Sequence, residues 1–143
     1  MLSIFLCIAL LILFFKFIYK KEKKKEKKKW KNEENCRKIL EEYFDKKFPS
    51  IWHKEIKNEE GNHSLQLDGY NKELKIAFEY NGEQHYIFPN KYNNINELWK
   101  FRRQQDNDKI KVERCKELGI KLIVIPYFEN KNLKEFIIRK LKL

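Results

Sequence analysis

Asp68 and Glu79 are the residues of this chain best placed for chemistry, because each lies in a short alternating run and polar turn residues join the two runs. Residues 65–70 and 74–80 alternate with period 2 around Asn71, Lys72 and Glu73, the signature of a β-hairpin. Alternate side chains of a strand point to opposite faces. Leu65 and Leu67 therefore share one side of the first strand and Gln66, Asp68 and Tyr70 the other. On the second strand Leu74, Ile76, Phe78 and Tyr80 form the apolar side, and Lys75, Ala77, Glu79 and Asn81 the second side. Asp68 and Glu79 can then meet on one face beside the small side chain of Ala77. A pair of carboxylates of this kind, with waters and phosphate oxygens, is what a hard divalent cation takes. The register is open: a two-residue turn at Asn71 and Lys72 sets Asp68 opposite Lys75, whereas pairing with Glu79 needs a turn centred near Glu73 and Leu74. Gly69, next to Asp68, marks a bulge or a close backbone approach. An isolated Asp and Glu on a sheet face are ordinary surface charges, but Asp68, Glu79, Gln84 and His85 converge within one hairpin and its exit, which favours a site.

The pattern LDGY, then AFEYNGEQHY, then DNDKIKVERCKELGIKLIVIPY resembles the PD-(D/E)XK nuclease superfamily, and within it the branch of very-short-patch-repair-type endonucleases and related phage and viral homing-type nucleases. The resemblance covers residues 33–127. It implies a restriction-endonuclease-like fold, an α/β/α sandwich with a central mixed sheet. It also implies Asp68 and Glu79 as ligands of Mg²⁺ or Mn²⁺, Gln84 and His85 lining the phosphodiester site, and an acidic residue of the first helix, matched by Glu33, completing the metal shell. Two positions after Glu79, where the superfamily signature has lysine, this chain has Asn81; relatives in the branch often carry an acidic residue there. Lys111 is the candidate for a migrated catalytic ammonium, since superfamily members can supply that group from a helix. Asp108, Lys111, Cys115 and Leu118 fall on one helical face, and an ordinary Asp-Lys surface pair is the other reading of them.

These groups have to be carried by a small chain. Of the net charge of +11, residues 1–31 supply +8, from ten lysines against Glu22 and Glu26, which leaves +3 for residues 32–143. The basicity thus belongs mainly to one run, and the part with the candidate site is only mildly basic. Cys7, Cys36 and Cys115 are odd in number and widely spaced without a CxxC pair, so neither a disulfide framework nor a zinc site is indicated, and reduced thiols are the natural reading. Residues 2–19 are almost wholly apolar, broken by Lys16, and read as a transmembrane anchor (residues 1–19). A polybasic linker (20–31) suited to anionic lipid follows, then the restriction-endonuclease-like domain that the resemblance implies (32–143), expected with the N-terminus outside and the domain cytoplasmic.

From Asn32, a candidate cap, a helix is expected with Cys36, Ile39, Leu40, Tyr43 and Phe44 at helical spacing. Trp52 is expected on the core. Residues 86–96 read as a substrate-facing loop or short strand. A helix capped by Asn94 or Asn96 runs on to Leu118 and stops at Gly119, and Arg102, Arg103 and Lys109 on it are candidate phosphate contacts. Residues 120–125 form a buried strand near the middle of the sheet, and 131–143 a last amphipathic helix. Taken together, the apolar N-terminal run and the resemblance imply a membrane-anchored, divalent-metal-dependent endonuclease acting on DNA. The alternatives are a catalytically inactive nucleic-acid-binding module of the same fold and a membrane-surface scaffold.

Overall fold

The computed structural model of the chain describes residues 2–88 and 95–143, and within the first helix the side chains at 8, 10–24 and 31–44. The chain divides into two compact units, Met1–Asn32 and Glu33–Leu143.

Helix α1 (Leu2–Phe44) is assigned through both. Residues 20–31 contain neither Gly nor Pro and are dominated by Lys and Glu, good helix formers. Asn32 is therefore an interior helical residue and not the expected cap. The transmembrane helix expected at residues 1–19 has to be corrected: among the described residues, no helix is long and apolar enough to cross a membrane. Lys16 interrupts the apolar stretch of α1, and lysines follow from Lys20. In the second unit α1 ends at Phe44, and Asp45 takes the left-handed conformation (φ 51°) that commonly stops a helix.

The expected sandwich around one central mixed sheet also needs correcting, because the first strand of the hairpin divides at Asp68. Strand β2 (Ser64–Leu67) pairs antiparallel with β1 (Ile51–Lys57). Beyond Asp68, β3 (Gly69–Asn71) pairs antiparallel with β4 (Ile76–Asn81), and β5 (Lys121–Pro126) runs parallel to β4. The result is a two-stranded sheet and a three-stranded sheet of order β3-β4-β5. The division is fixed by the segment after α1: Ser50 Oγ donates to Leu67 O (3.0 Å), and Tyr70 N donates to Pro49 O (3.0 Å). In this sheet β4 is the central strand, and β5, at one edge, lies next to it as expected.

The hairpin register is Gly69 with Phe78, Tyr70 with Ala77 and Asn71 with Ile76. One further step sets Asp68 opposite Glu79. Asn71 builds the turn: its Oδ1 accepts from Leu74 N (2.8 Å), its Nδ2 donates to Lys47 O (3.0 Å), and Lys75 closes the turn at φ 53°. The register thus needs a four-residue turn, and the asparagine side chain supplies the hydrogen bonds that hold it.

Helix α2 (Ile95–Glu117) and helix α3 (Leu133–Lys142) complete the unit. Gly119, at φ 66°, ends α2, with Ile120 N donating back to Cys115 O (2.8 Å). Asn96 lies within α2 and does not cap it; the other candidate cap, Asn94, lies outside the described residues, as does most of the expected substrate-facing loop (89–94). The apolar groups fall into two clusters, on opposite sides of β4. Phe78 and Tyr80 pack with Ile123 and Ile125 of β5, Cys36 and Leu40 of α1, Phe48, and Phe136 and Ile137 of α3. Ala77 packs with Cys115 of α2, Ile120, and Ile56, Leu65 and Leu67 of the smaller sheet. Trp52, expected in the core, is 68% exposed; Ile56 on the same strand is fully buried in its stead.

Candidate functional site

The site grows from the point where the first hairpin strand leaves one sheet for the other. With the ladder broken there, side chains take over its hydrogen bonds. Asp68 Oδ2 accepts from Tyr80 N (2.8 Å), and Asp68 N donates to Glu79 Oε1 (3.2 Å). The backbone of Asp68 is held from outside by Arg37, whose Nη2 donates to Asp68 O (2.8 Å) and to Glu33 Oε1 (2.8 Å); Arg37 also donates to Phe48 O and lies over the Phe78 ring. Glu33 is buried, and Arg37 stands between it and the carbonyl of Asp68. Arg37 carries no motif of its own; its signal in the sequence is only that it lies one helical turn after Glu33.

Glu79 is 4% exposed, and its second oxygen accepts from Lys111 Nζ at 2.6 Å. Burial pushes the Glu79 carboxyl up to about 7. The Lys111 ammonium opposes this shift, and the neighbouring Asp68 charge adds to it. Lys111 arrives from α2, whose Cys115 is buried one turn further on. Burial raises the Cys115 thiol to about 11 and the Cys36 thiol to about 12, so neither cysteine is a ready nucleophile.

A cleft of about 300 Å³ opens between β4 and α2, lined by Glu79, Asn81, Asp108, Lys109 and Lys111 among others. His85, in the short 3₁₀ turn Glu83–His85, places Nδ1 2.6 Å from Asp108 Oδ2 at this cleft. A carboxylate only accepts, so Nδ1 carries the proton and Nε2 is the nitrogen left for other work. The pairing of His85 with Asp108 is not visible in sequence spacing, because it joins two elements 23 residues apart. Asn81 is buried and lines the same cleft; burial raises the Tyr86 hydroxyl, and the nearby Asn81 side chain opposes that shift. Asn81 Oδ1 is a fully buried acceptor with no partner.

Of the residues singled out from the sequence, Asp68, Glu79 and Lys111 come together, and His85 stands beside them through Asp108. Gln84 is exposed and folds back onto Gly82, away from the cleft lining. Lys109 lies at the cleft, with its ammonium 3.5 Å from Asp106, while Arg102 and Arg103 are exposed on α2. Among the described residues, no three His, Cys, Asp or Glu side chains converge to hold a metal ion. What remains is a two-carboxylate donor set with a cationic ammonium resting on it. That fits the chemistry of Mg²⁺, which needs only one or two carboxylates when water and substrate oxygens fill the other positions.

Three viral proteins are similar to this chain. "Uncharacterized protein 094L" of Frog virus 3 (isolate Goorha) is 39% identical, over 68% of this chain and 62% of its own length. "Uncharacterized protein 033L" of Invertebrate iridescent virus 3 is 33% identical, over 68% of this chain and 49% of its own length. "Uncharacterized protein 307L" of Invertebrate iridescent virus 6 is 32% identical, over 78% of this chain and 63% of its own length. The chain thus spans between half and two thirds of the curated relatives it matches. No family model matches the chain. No solved structure matches it.

Proposed function

We propose that the chain is a divalent-metal-dependent phosphodiester hydrolase acting on DNA, with an active site akin to that of the PD-(D/E)XK nucleases. The observation that carries this reading is the register that sets Asp68 opposite Glu79, with the Lys111 ammonium 2.6 Å from the latter and the His85–Asp108 pair at the same cleft. Each part has a role in hydrolysis. Asp68 and Glu79 would hold Mg²⁺ or Mn²⁺, with Glu33 behind them, and the cation would supply polarisation of the scissile phosphate and a lowered pKa for an attacking water. Lys111 steadies the negative charge that develops on the phosphate oxygens as the water oxygen bonds to phosphorus. His85, held by Asp108 through Nδ1, would take the proton of the attacking water at Nε2, and the departing oxygen would take a proton from solvent as the bridging P–O bond breaks. Arg102, Arg103 and Lys109 on α2 contact the backbone without reading bases. Gln84, exposed and outside the cleft lining, takes no part in this step.

The test is cleavage of single-stranded, duplex and mismatched DNA by the full chain with Mg²⁺, Mn²⁺ or EDTA, beside Asp68→Ala and Glu79→Ala. Cleavage that requires metal and drops by about 10³-fold or more in both variants is expected. A folded protein that binds DNA equally with and without metal and never cuts it would be a binding module, and the enzyme reading would end there.

A further inference from the structure

Asn81 stands where the likeness to nucleases leads one to expect an ammonium, and its side chain has an unusual environment. It is 7% exposed, yet its Oδ1 has no hydrogen-bond partner. Leaving a buried acceptor unsatisfied costs on the order of 1–3 kcal/mol, and an asparagine could avoid that cost by turning its amide. Tyr86 lies near the same amide, and the Asn81 side chain opposes the upward shift that burial gives its hydroxyl. Asn81 and Glu79 are two residues apart on β4, so their side chains leave the same face, and both line the same cleft. Opposite Glu79 is Asp68, whose carboxylate is tied to the backbone N–H between them, that of Tyr80. Three oxygen-bearing side chains therefore surround one stretch of β4, and the third offers a neutral lone pair to nothing in the protein.

We propose that Asn81 Oδ1 is a direct ligand of the divalent cation, the third protein oxygen of the site formed by Asp68 and Glu79. The inference rests on the metal-dependent reading of that pair. An amide oxygen is a normal donor to hard cations. It adds a ligand without adding a third negative charge beside two carboxylates, one of which is already strained by burial. Lys111, reaching Glu79 from α2, leaves the asparagine position on β4 free for this role, and Tyr86, near the amide, is placed to orient the ligand as outer partners orient metal-bound histidines.

The experiment is Mn²⁺ binding to the full chain without nucleic acid, read from the loss of the free-ion electron paramagnetic resonance signal. Wild type is compared with Asn81→Leu, Asn81→Asp, Tyr86→Phe and Glu79→Gln, and circular dichroism reports folding. Asn81→Leu, matched in shape but without the oxygen, is expected to weaken Mn²⁺ at least about tenfold. Asn81→Asp is expected to tighten it several-fold, and Tyr86→Phe, by removing the hydroxyl near the amide, to weaken it by less than Asn81→Leu does. Should Asn81→Leu fail to fold, Asn81→Asp decides alone: unchanged or weaker binding overturns the proposal. Mn²⁺ affinity lost in Glu79→Gln but unchanged in folded Asn81→Leu also overturns it and leaves the nuclease reading standing. A wild-type chain that binds no Mn²⁺ removes both.

Discussion

The two faces of β4 are equally buried and do opposite things. From Ala77 to Asn81 every residue is buried. Phe78 and Tyr80 meet Ile123, Ile125, Leu40 and Phe136, where burial removes apolar surface from water and is favourable. Glu79 and Asn81 meet α2, where burial strands a carboxylate and an amide oxygen in a poorly solvated cleft. There the same loss of water raises free energy instead of lowering it. One face holds the strand in place and the other uses that rigidity to keep polar groups in an environment they would otherwise leave. Arg37 joins the two, lying over Phe78 while it donates to the carbonyl of Asp68.

If this division holds, substitution on the apolar face should cost stability before anything else. Phe78→Ala is expected to lower unfolding free energy by about 3–5 kcal/mol, measured by urea denaturation, since it removes a fully buried ring from the larger cluster. A loss below about 1 kcal/mol would mean that the two faces are not energetically distinct.

The polar face should show the reverse through pH. Burial raises the folded-state carboxyl of Glu79 from its ordinary 4.5 to about 7. The folded protein then holds a proton that the unfolded chain has released, so stability is greatest below about 4.5 and falls as pH rises through 7. The difference between wild type and Glu79→Gln should change by on the order of 3 kcal/mol across that window. A difference that grows in favour of wild type with rising pH would show Glu79 held ionised by Lys111, and the contrast between the faces would be one of pairing and not of burial.

A smaller effect is expected at the edge of the cleft. His85→Ala should slow cleavage by about 10²-fold, with Asp108→Asn somewhat milder, because the first removes the proton acceptor and the second only what holds it. Equal rates in all three proteins would take the pair out of the reaction while leaving the carboxylate site intact.

Much of this arrangement is readable from residue order. Period-2 alternation places Glu79 and Asn81 on one face and Phe78 and Tyr80 on the other, and helical spacing puts Asp108, Lys111 and Cys115 on one side of α2. The register was not readable, because it depends on Asn71 bonding both to Leu74 and to Lys47, a contact from another part of the chain. The same holds for the division of the strand at Asp68, which is set by Pro49, Ser50 and Arg37. Trp52 misleads since a large aromatic in a strand is usually an inward residue, and here it faces solvent. At the N-terminus the hydropathy of residues 2–19 suggests a span, but among the described residues no helix is long and apolar enough to cross a membrane.

The gentlest way to test the link between the faces is Gly69→Ala. Gly69 pairs with Phe78, and a Cβ there would fall under 3 Å from three atoms of the Phe78 ring. The backbone must therefore approach the ring closely for β3 to pair with β4 one step from Asp68. An added methyl has to push the ring into the apolar cluster or push the strand away from β4, at a cost of about 1–3 kcal/mol. The two responses have different consequences. Movement of the ring lowers stability and leaves Asp68 beside Glu79, so metal-dependent cleavage keeps its rate in the folded fraction. Movement of the strand carries Asp68 away from its bond to Tyr80 N and weakens cleavage as well. With Arg37 and Pro49 anchoring the strand from outside, the ring is expected to yield: urea denaturation should register the loss, and cleavage per folded molecule should change by less than about threefold, under 1 kcal/mol.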